Sequence, residues 1–131
     1  MRVYISGKIG EEVISDATRQ KFAKAEEMLK AKGYEVFNPT TSGLGVLADA
    51  MSKIGGTTFY EEILMLDLFE LKSDCDAIYM LPDFLESPGA KAEYAFAIAT
   101  KKQVYYDDEL FRDGTLRGKS YNNNRLPEVA L

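Results

Sequence analysis

One stretch constrains this chain more than any other. Asp76-Ala77-Ile78-Tyr79-Met80-Leu81 leads through Pro82 to Glu86 into Ser87-Pro88-Gly89, and then into the alanine-rich run Ala90 to Ala99. The apolar run has strand length, and an aspartate precedes it. That pattern suits a central parallel strand covered on both faces. Serine caps a helix, proline fits its first position, and glycine lets a ligand approach the backbone. Ala90, Ala92, Ala95, Ala97 and Ala99 predict a smooth helix that packs closely on a sheet. In such folds ligands bind at the carboxyl ends of the strands, beside helix N-termini. Glu93 falls about one turn into that helix, where its carboxylate can face the mouth of a site. A first-turn acid also stabilises the helix dipole by roughly 0.3–1 kcal/mol. Position alone therefore leaves both roles open.

Composition narrows the chemistry. The 131 residues suit one domain, and 46% hydrophobic residues suffice for a core. No apolar run reaches the roughly 18 residues of a membrane span. Met1 to Gly7 is too short for a signal peptide and reads as a first strand. The single cysteine, Cys75, adjoins the apolar strand and reads as an inert packing residue. It excludes an internal disulfide and fits a reducing cytoplasm. The chain has no histidine, so acid–base work falls to carboxylates, tyrosines or lysines. No metal and no cofactor are expected. A net charge of −5 argues against a nonspecific nucleic-acid binder. A small anion held by backbone amides stays compatible.

In chain order, Arg2 to Ser6 predicts the first strand. Ser6-Gly7-Lys8-Ile9-Gly10 follows as a glycine-bearing loop that matches neither a P-loop nor a dinucleotide fingerprint. Its glycines permit close backbone approach, and Lys8 offers a cation unless it is merely solvated. Ser15 to Lys32 predicts a helix with Ala17, Phe22, Ala25, Met28 and Leu29 on its apolar face, stopped by Gly33. Tyr34 to Phe37 is a short strand ending in the loop that begins Asn38-Pro39. Leu44 to Ile54 predicts a short helix carrying Val46, Leu47, Ala50 and Met51, within a segment that could act as a lid. Thr57 or Thr58, with Glu61, forms a capping box for the next helix. Ile63, Leu64, Leu66, Leu68 and Leu71 give that helix a broad core face. Asp67, inside it, reads as solvent-facing or as turned toward a pocket. Gln103 to Tyr106 is a fourth strand. Residues 107–131 form a polar extension that holds one more short element or docks on a partner subunit.

Strands alternating with helices imply right-handed crossovers and a parallel sheet. The expected fold is a single open three-layer α/β domain, flavodoxin-like in size. Three strand exits converge in it: Ser6-Gly7-Lys8, Asn38-Pro39, and Asp83 through Ser87.

Four pieces, in order, resemble the motifs of the nucleoside 2-deoxyribosyltransferase superfamily, which includes the 2′-deoxynucleoside 5′-phosphate N-hydrolases. They are Tyr4-Ile5-Ser6-Gly7-Lys8-Ile9, Asp67-Leu68-Phe69-Glu70-Leu71, Cys75-Asp76-Ala77, and Ser87-Pro88-Gly89-Ala90-Lys91-Ala92-Glu93-Tyr94-Ala95-Phe96-Ala97. The resemblance spans roughly Met1 to Tyr106 and is nearest to small bacterial and phage members. It implies cleavage or transfer at the N-glycosidic bond of a (2′-deoxy)nucleoside or its 5′-monophosphate. Glu93 falls at the family's nucleophile, Asp67 at the carboxylate that serves the leaving base, and Tyr4 at an aromatic beside the sugar. Ser87 and Gly89 fall where the hydrolase branch holds a 5′-phosphate. Ser6, Gly7, Lys8, Ile9, Asn38 and Asp83 line the same strand exits as candidate substrate contacts, with Asp83 an alternative acid. Glycosidic cleavage commonly uses two carboxylates, one ionised and one carrying a proton. The resemblance also implies a homodimer with sites near its interface. Tyr94, Phe96, Tyr105 and Tyr106 read either as that interface or as core. A second function class stays open, a module that binds a nucleotide without turnover; acidic Glu11-Glu12 favours it. A structural domain without a ligand is a third.

Overall fold

The computed structural model describes residues 1–10 and 13–116; Glu11, Glu12 and the proposed docking segment beyond residue 116 lie outside it. The strands are β1 (Arg2–Ser6), β2 (Glu35–Phe37), β3 (Ala77–Met80) and β4 (Gln103–Tyr106). The helices are α1 (Asp16–Ala31), α2 (Leu44–Gly55), α3 (Phe59–Asp74), α4 (Pro88–Ala99) and α5 (Asp108–Arg112). The strands form one parallel sheet in the order β2-β1-β3-β4. The chain thus leaves β1 in one direction and returns past it in the other. A crevice opens where these directions part, at the carboxyl ends of β1 and β3. This is the expected open α/β sheet, compatible with a flavodoxin-like fold.

The strand period of two divides the core. Val3 and Ile5 of β1, with Ala77 and Tyr79 of β3, face α1 and meet Phe22, Ala25 and Leu29. Tyr4 on the opposite face joins Ile78, Met80, Leu71 of α3 and Ala90 and Ala97 of α4. All four β3 side chains are buried, as both-face coverage requires. Tyr105 and Tyr106 are buried too, and the Tyr106 hydroxyl bonds that of Tyr94 at 2.8 Å. Tyr105 and Tyr106 belong to the core, and Tyr94 is half-buried against it. Phe96 is half-buried and packs against the same cluster.

Several helical expectations need correction. Ala17 is exposed because it lies five residues before Phe22, a rotation of about 140° off the buried stripe. On α2 the buried residues are Ala48 and Ser52, whereas Val46, Leu47, Ala50 and Met51 are exposed. The helix packs on α3 through its small side chains and turns its large apolar ones outward. On α3, Leu71 is buried while Ile63, Leu64, Leu66 and Leu68 are only half-buried. Among the described residues no helix is long and apolar enough to cross a membrane.

Candidate active site

Local sequence places each element of the site. Ser87 caps α4: its Oγ accepts from the Ala90 N–H at 3.1 Å, and Pro88 fills the first helical position. That start points the first turn of α4 at the crevice, with Glu93 one turn further on and buried. Thr58 caps α3 through the full capping box with Glu61, which sets Phe59 and Tyr60 at the helix entrance.

Glu93 meets β1 from above. Tyr4 donates its hydroxyl to Oε2 at 2.5 Å, and Ser6 donates its own to Oε1 at 2.8 Å. Residues 4 and 6 share one face of a strand, so a single carboxylate reaches both. Tyr4 is itself fixed by stacking on Phe37, with ring centroids 5.2 Å apart. Both oxygens of Glu93 are therefore held, and its orientation is set by the sheet.

Asp67 opens onto the same cavity from α3. The cavity has a volume of about 150 Å³. Gly7, Ile9 and Gly10 border it after β1, Pro39 after β2, and Ser87, Gly89 and Ala90 after β3; Phe59, Tyr60 and Leu64 complete the α3 side. Asp67 is buried, and its Oδ1 has no hydrogen-bond partner among the described residues. Buried polar atoms are nearly always paired, and buried charges are paired or neutralised. A buried carboxylate facing another, with no cation among the described cavity-lining residues, is therefore costly to the fold.

The two acids differ in protonation. Burial, the nearby Glu93 carboxylate and Glu70 raise the Asp67 carboxyl from 3.8 to about 8. Burial lifts Glu93 from 4.5 to about 7, while the hydrogen bonds from Tyr4 and Ser6 oppose the rise. Glu93 thus ionises first, and near neutrality the remaining proton rests on Asp67. Tyr4 is held well above its usual range by its own burial and by Glu93, so it stays a donor. One ionised and one protonated carboxyl face a common space, as nucleophilic and acid catalysis require.

The other expected site residues divide. Gly7, Ile9, Ser87 and Gly89 line the cavity; Tyr4 and Ser6 lie beneath its floor and act on Glu93. Lys8, Asn38 and Asp83 do not line it. The Lys8 backbone N–H donates to Asp83 Oδ1 at 3.0 Å, and its carbonyl accepts from Lys21 Nζ, while its side chain is exposed. Asp83 also pairs with Lys21 at 2.5 Å. It ties the first loop to α1, and no free acid remains for the role of alternative. Asn38 is buried: it donates to Glu26 and accepts from the backbone N–H and hydroxyl of Thr40, forming a turn. Cys75 is buried and its thiol is pushed up to about 11, chiefly by burial. It packs, as expected. Pro39, Phe59, Tyr60 and Leu64 also line the cavity, and no sequence motif marks them as site residues. For Phe59 and Tyr60 the capping box was the available signal, because it puts the start of α3 at the carboxyl edge of the sheet. Among the described residues no cluster of three or more cysteine and carboxylate side chains gathers to hold a metal.

Residues 1–106 match the family model described as a domain of unknown function, DUF4406. The chain belongs to the DUF4406 family. The match ends at Tyr106, the last residue of β4. Every residue of the site is therefore part of the DUF4406 domain, and α5 lies beyond it. No curated protein matches the chain.

Proposed function

We propose that this domain breaks or transfers the N-glycosidic bond of a (2′-deoxy)nucleoside or nucleoside 5′-monophosphate. The observation that carries the reading is the pair of buried carboxyls: Glu93, aimed by Tyr4 and Ser6, and Asp67, whose Oδ1 has no partner among the described residues and which opens on the same cavity. A purely structural role does not account for two buried acids with no cation among the described lining residues, because each lowers stability.

In this reading the ionised Glu93 attacks the anomeric carbon of the sugar. The carbon–nitrogen bond breaks, and its electron pair leaves with the base, which takes the Asp67 proton. A glycosyl ester on Glu93 results. Water, or the nitrogen of a second base, then attacks the same carbon and gives up its proton to Asp67. The ester bond breaks and Glu93 returns as a carboxylate. The chain has no histidine and needs none for this sequence of steps. Phe59, Tyr60 and Leu64 supply the apolar and aromatic wall that a base ring packs against.

The working unit in this reading is a homodimer in the cytoplasm. Leu47, Met51, Val46 and Ile54 of α2 and Met65 and Phe69 of α3 are exposed, more apolar surface than two amphipathic helices usually show. The lone buried thiol fits a reducing compartment.

The test is a panel of deoxynucleosides and their monophosphates, with free base measured chromatographically. Base release that Glu93→Gln lowers by about a thousandfold or more supports the reading. Release from no member of the panel, or release that Glu93→Gln leaves intact, overturns it. Thermal stabilisation by the panel without base release points instead to a sensing module.

A further inference from the structure

We propose that Tyr60 selects against a phosphorylated substrate, so that the cavity takes a free nucleoside through its 5′-hydroxyl. This rests on the glycosidic reading above and names the substrate within it. The start of α4, a twelve-residue helix, is where the site would hold an anion. Its donors are nearly all committed. Pro88 has no N–H. The Ala90 N–H goes to Ser87 Oγ at 3.1 Å, and the Lys91 N–H goes to the Ser87 carbonyl at 2.9 Å. Of the first four helical positions, Gly89 is left as the one whose N–H has no acceptor among the described residues.

Tyr60 lies against that position. A Cβ built on Gly89 would fall 2.7 Å from the Tyr60 hydroxyl oxygen and 3.6 Å from Cζ. The phenol thus fills the space where a phosphate would meet the helix. A side chain at position 89 would therefore have to displace the Tyr60 hydroxyl. Nothing in the lining compensates a dianion: it carries Asp67 and Glu93 and, among the described residues, neither lysine nor arginine. Past Gly10 the sequence continues with Glu11 and Glu12, which bring no positive charge. A phosphate would stand beside an ionised Glu93 with no cation in the described lining to offset its charge, held at most by one amide and the Tyr60 and Ser87 hydroxyls. A hydroxyl is neutral, and it exchanges hydrogen bonds with Tyr60 Oη or Ser87 Oγ.

The test uses C-nucleosides, whose carbon–carbon glycosidic bond this chemistry leaves intact, and their 5′-monophosphates. Calorimetry on the full chain should find the C-nucleoside bound about tenfold or more tightly than its monophosphate. Tyr60→Phe and Tyr60→Ala should narrow that ratio, the alanine variant more. A tyrosine that only supports the fold would shift both affinities together and leave the ratio alone. Equal or tighter binding of the monophosphate by the wild type overturns the inference and leaves the glycosidic reading standing. So does a ratio unmoved in both variants. Failure to release base from N-nucleosides that do bind overturns the glycosidic reading instead. Binding of neither ligand overturns both.

Discussion

Replacing Asp67 by asparagine should stabilise the domain, and by much more at pH 8 than at pH 5. The folded protein holds the Asp67 proton up to about pH 8, whereas the unfolded chain releases it near 3.8. A raised carboxyl contributes stability that is fully present below the unfolded value and lost as pH climbs through the folded one. At 1.36 kcal/mol per pH unit, the accumulated loss is about 2 kcal/mol at pH 5 and about 5 kcal/mol at pH 8. The amide cannot ionise and escapes this loss. It has its own desolvation cost, but that cost does not vary with pH and cancels from the comparison. The quantity to measure is therefore the change in the stability difference between pH 5 and pH 8, about 3–4 kcal/mol. This is a large part of the 5–15 kcal/mol that holds a typical domain folded. Urea unfolding of both proteins at unit pH steps, followed by circular dichroism, reads it directly. A difference between them that stays flat from pH 5 to pH 8 would refute the reasoning. It would mean that Asp67 is already ionised and hydrated in the native state.

In the proposed glycosidic chemistry, turnover should follow a narrow bell, because that chemistry uses an ionised Glu93 and a protonated Asp67. The acid limb then falls near 7 and the alkaline limb near 8; a flat profile between pH 5 and 9 would contradict this. Tyr4→Phe removes a hydrogen bond that favours the Glu93 carboxylate, so the acid limb should move to higher pH. At 1.5–3 kcal/mol for a bond to a charged group, kcat/KM should drop about 10- to 100-fold; an unmoved limb counts against the assignment. Asp83→Asn breaks the tie to Lys21 and should cost about 1 kcal/mol or less while leaving both limbs in place. A lost alkaline limb in that variant would restore Asp83 as the acid. Gly7→Ala puts a Cβ 2.6 Å from Leu81 Cδ1 and 2.9 Å from Leu81 Cβ. Because Leu81 Cβ sits next to the backbone, the variant should lose about 1–3 kcal/mol in chemical denaturation.

The sheet and the place of Glu93 were legible because their signals are local and periodic. The apolar run ending at Leu81, the Ser87-Pro88-Gly89 punctuation and the alternation of β1 each fix an element without distant information. That alternation also held the partner of Glu93: two hydroxyl-bearing residues at spacing two, on the face away from Val3 and Ile5. Asp67 was ambiguous for a physical reason. The surrounding α3 residues are apolar nearly all round, so periodicity alone does not say which face is inside. Asp83 misled because an acid at a strand exit resembles a catalytic group until its cation appears, and Lys21 lies 62 positions away. The apolar side chains of α2 have helical spacing, and the face they mark is the outer one.

The two hydroxyl contacts to Glu93 join residues separated by 89 and 87 positions. A chain emerging from the ribosome therefore completes its first strand long before the carboxylate that satisfies it exists. Until position 93 is in place, Tyr4 and Ser6 have donors with no acceptor in the layer that will cover them. The Glu93 contacts therefore form only once β1 and α4, most of the domain apart in sequence, have been brought together, and an intact pair of contacts reports that the ends of the sheet layer have met.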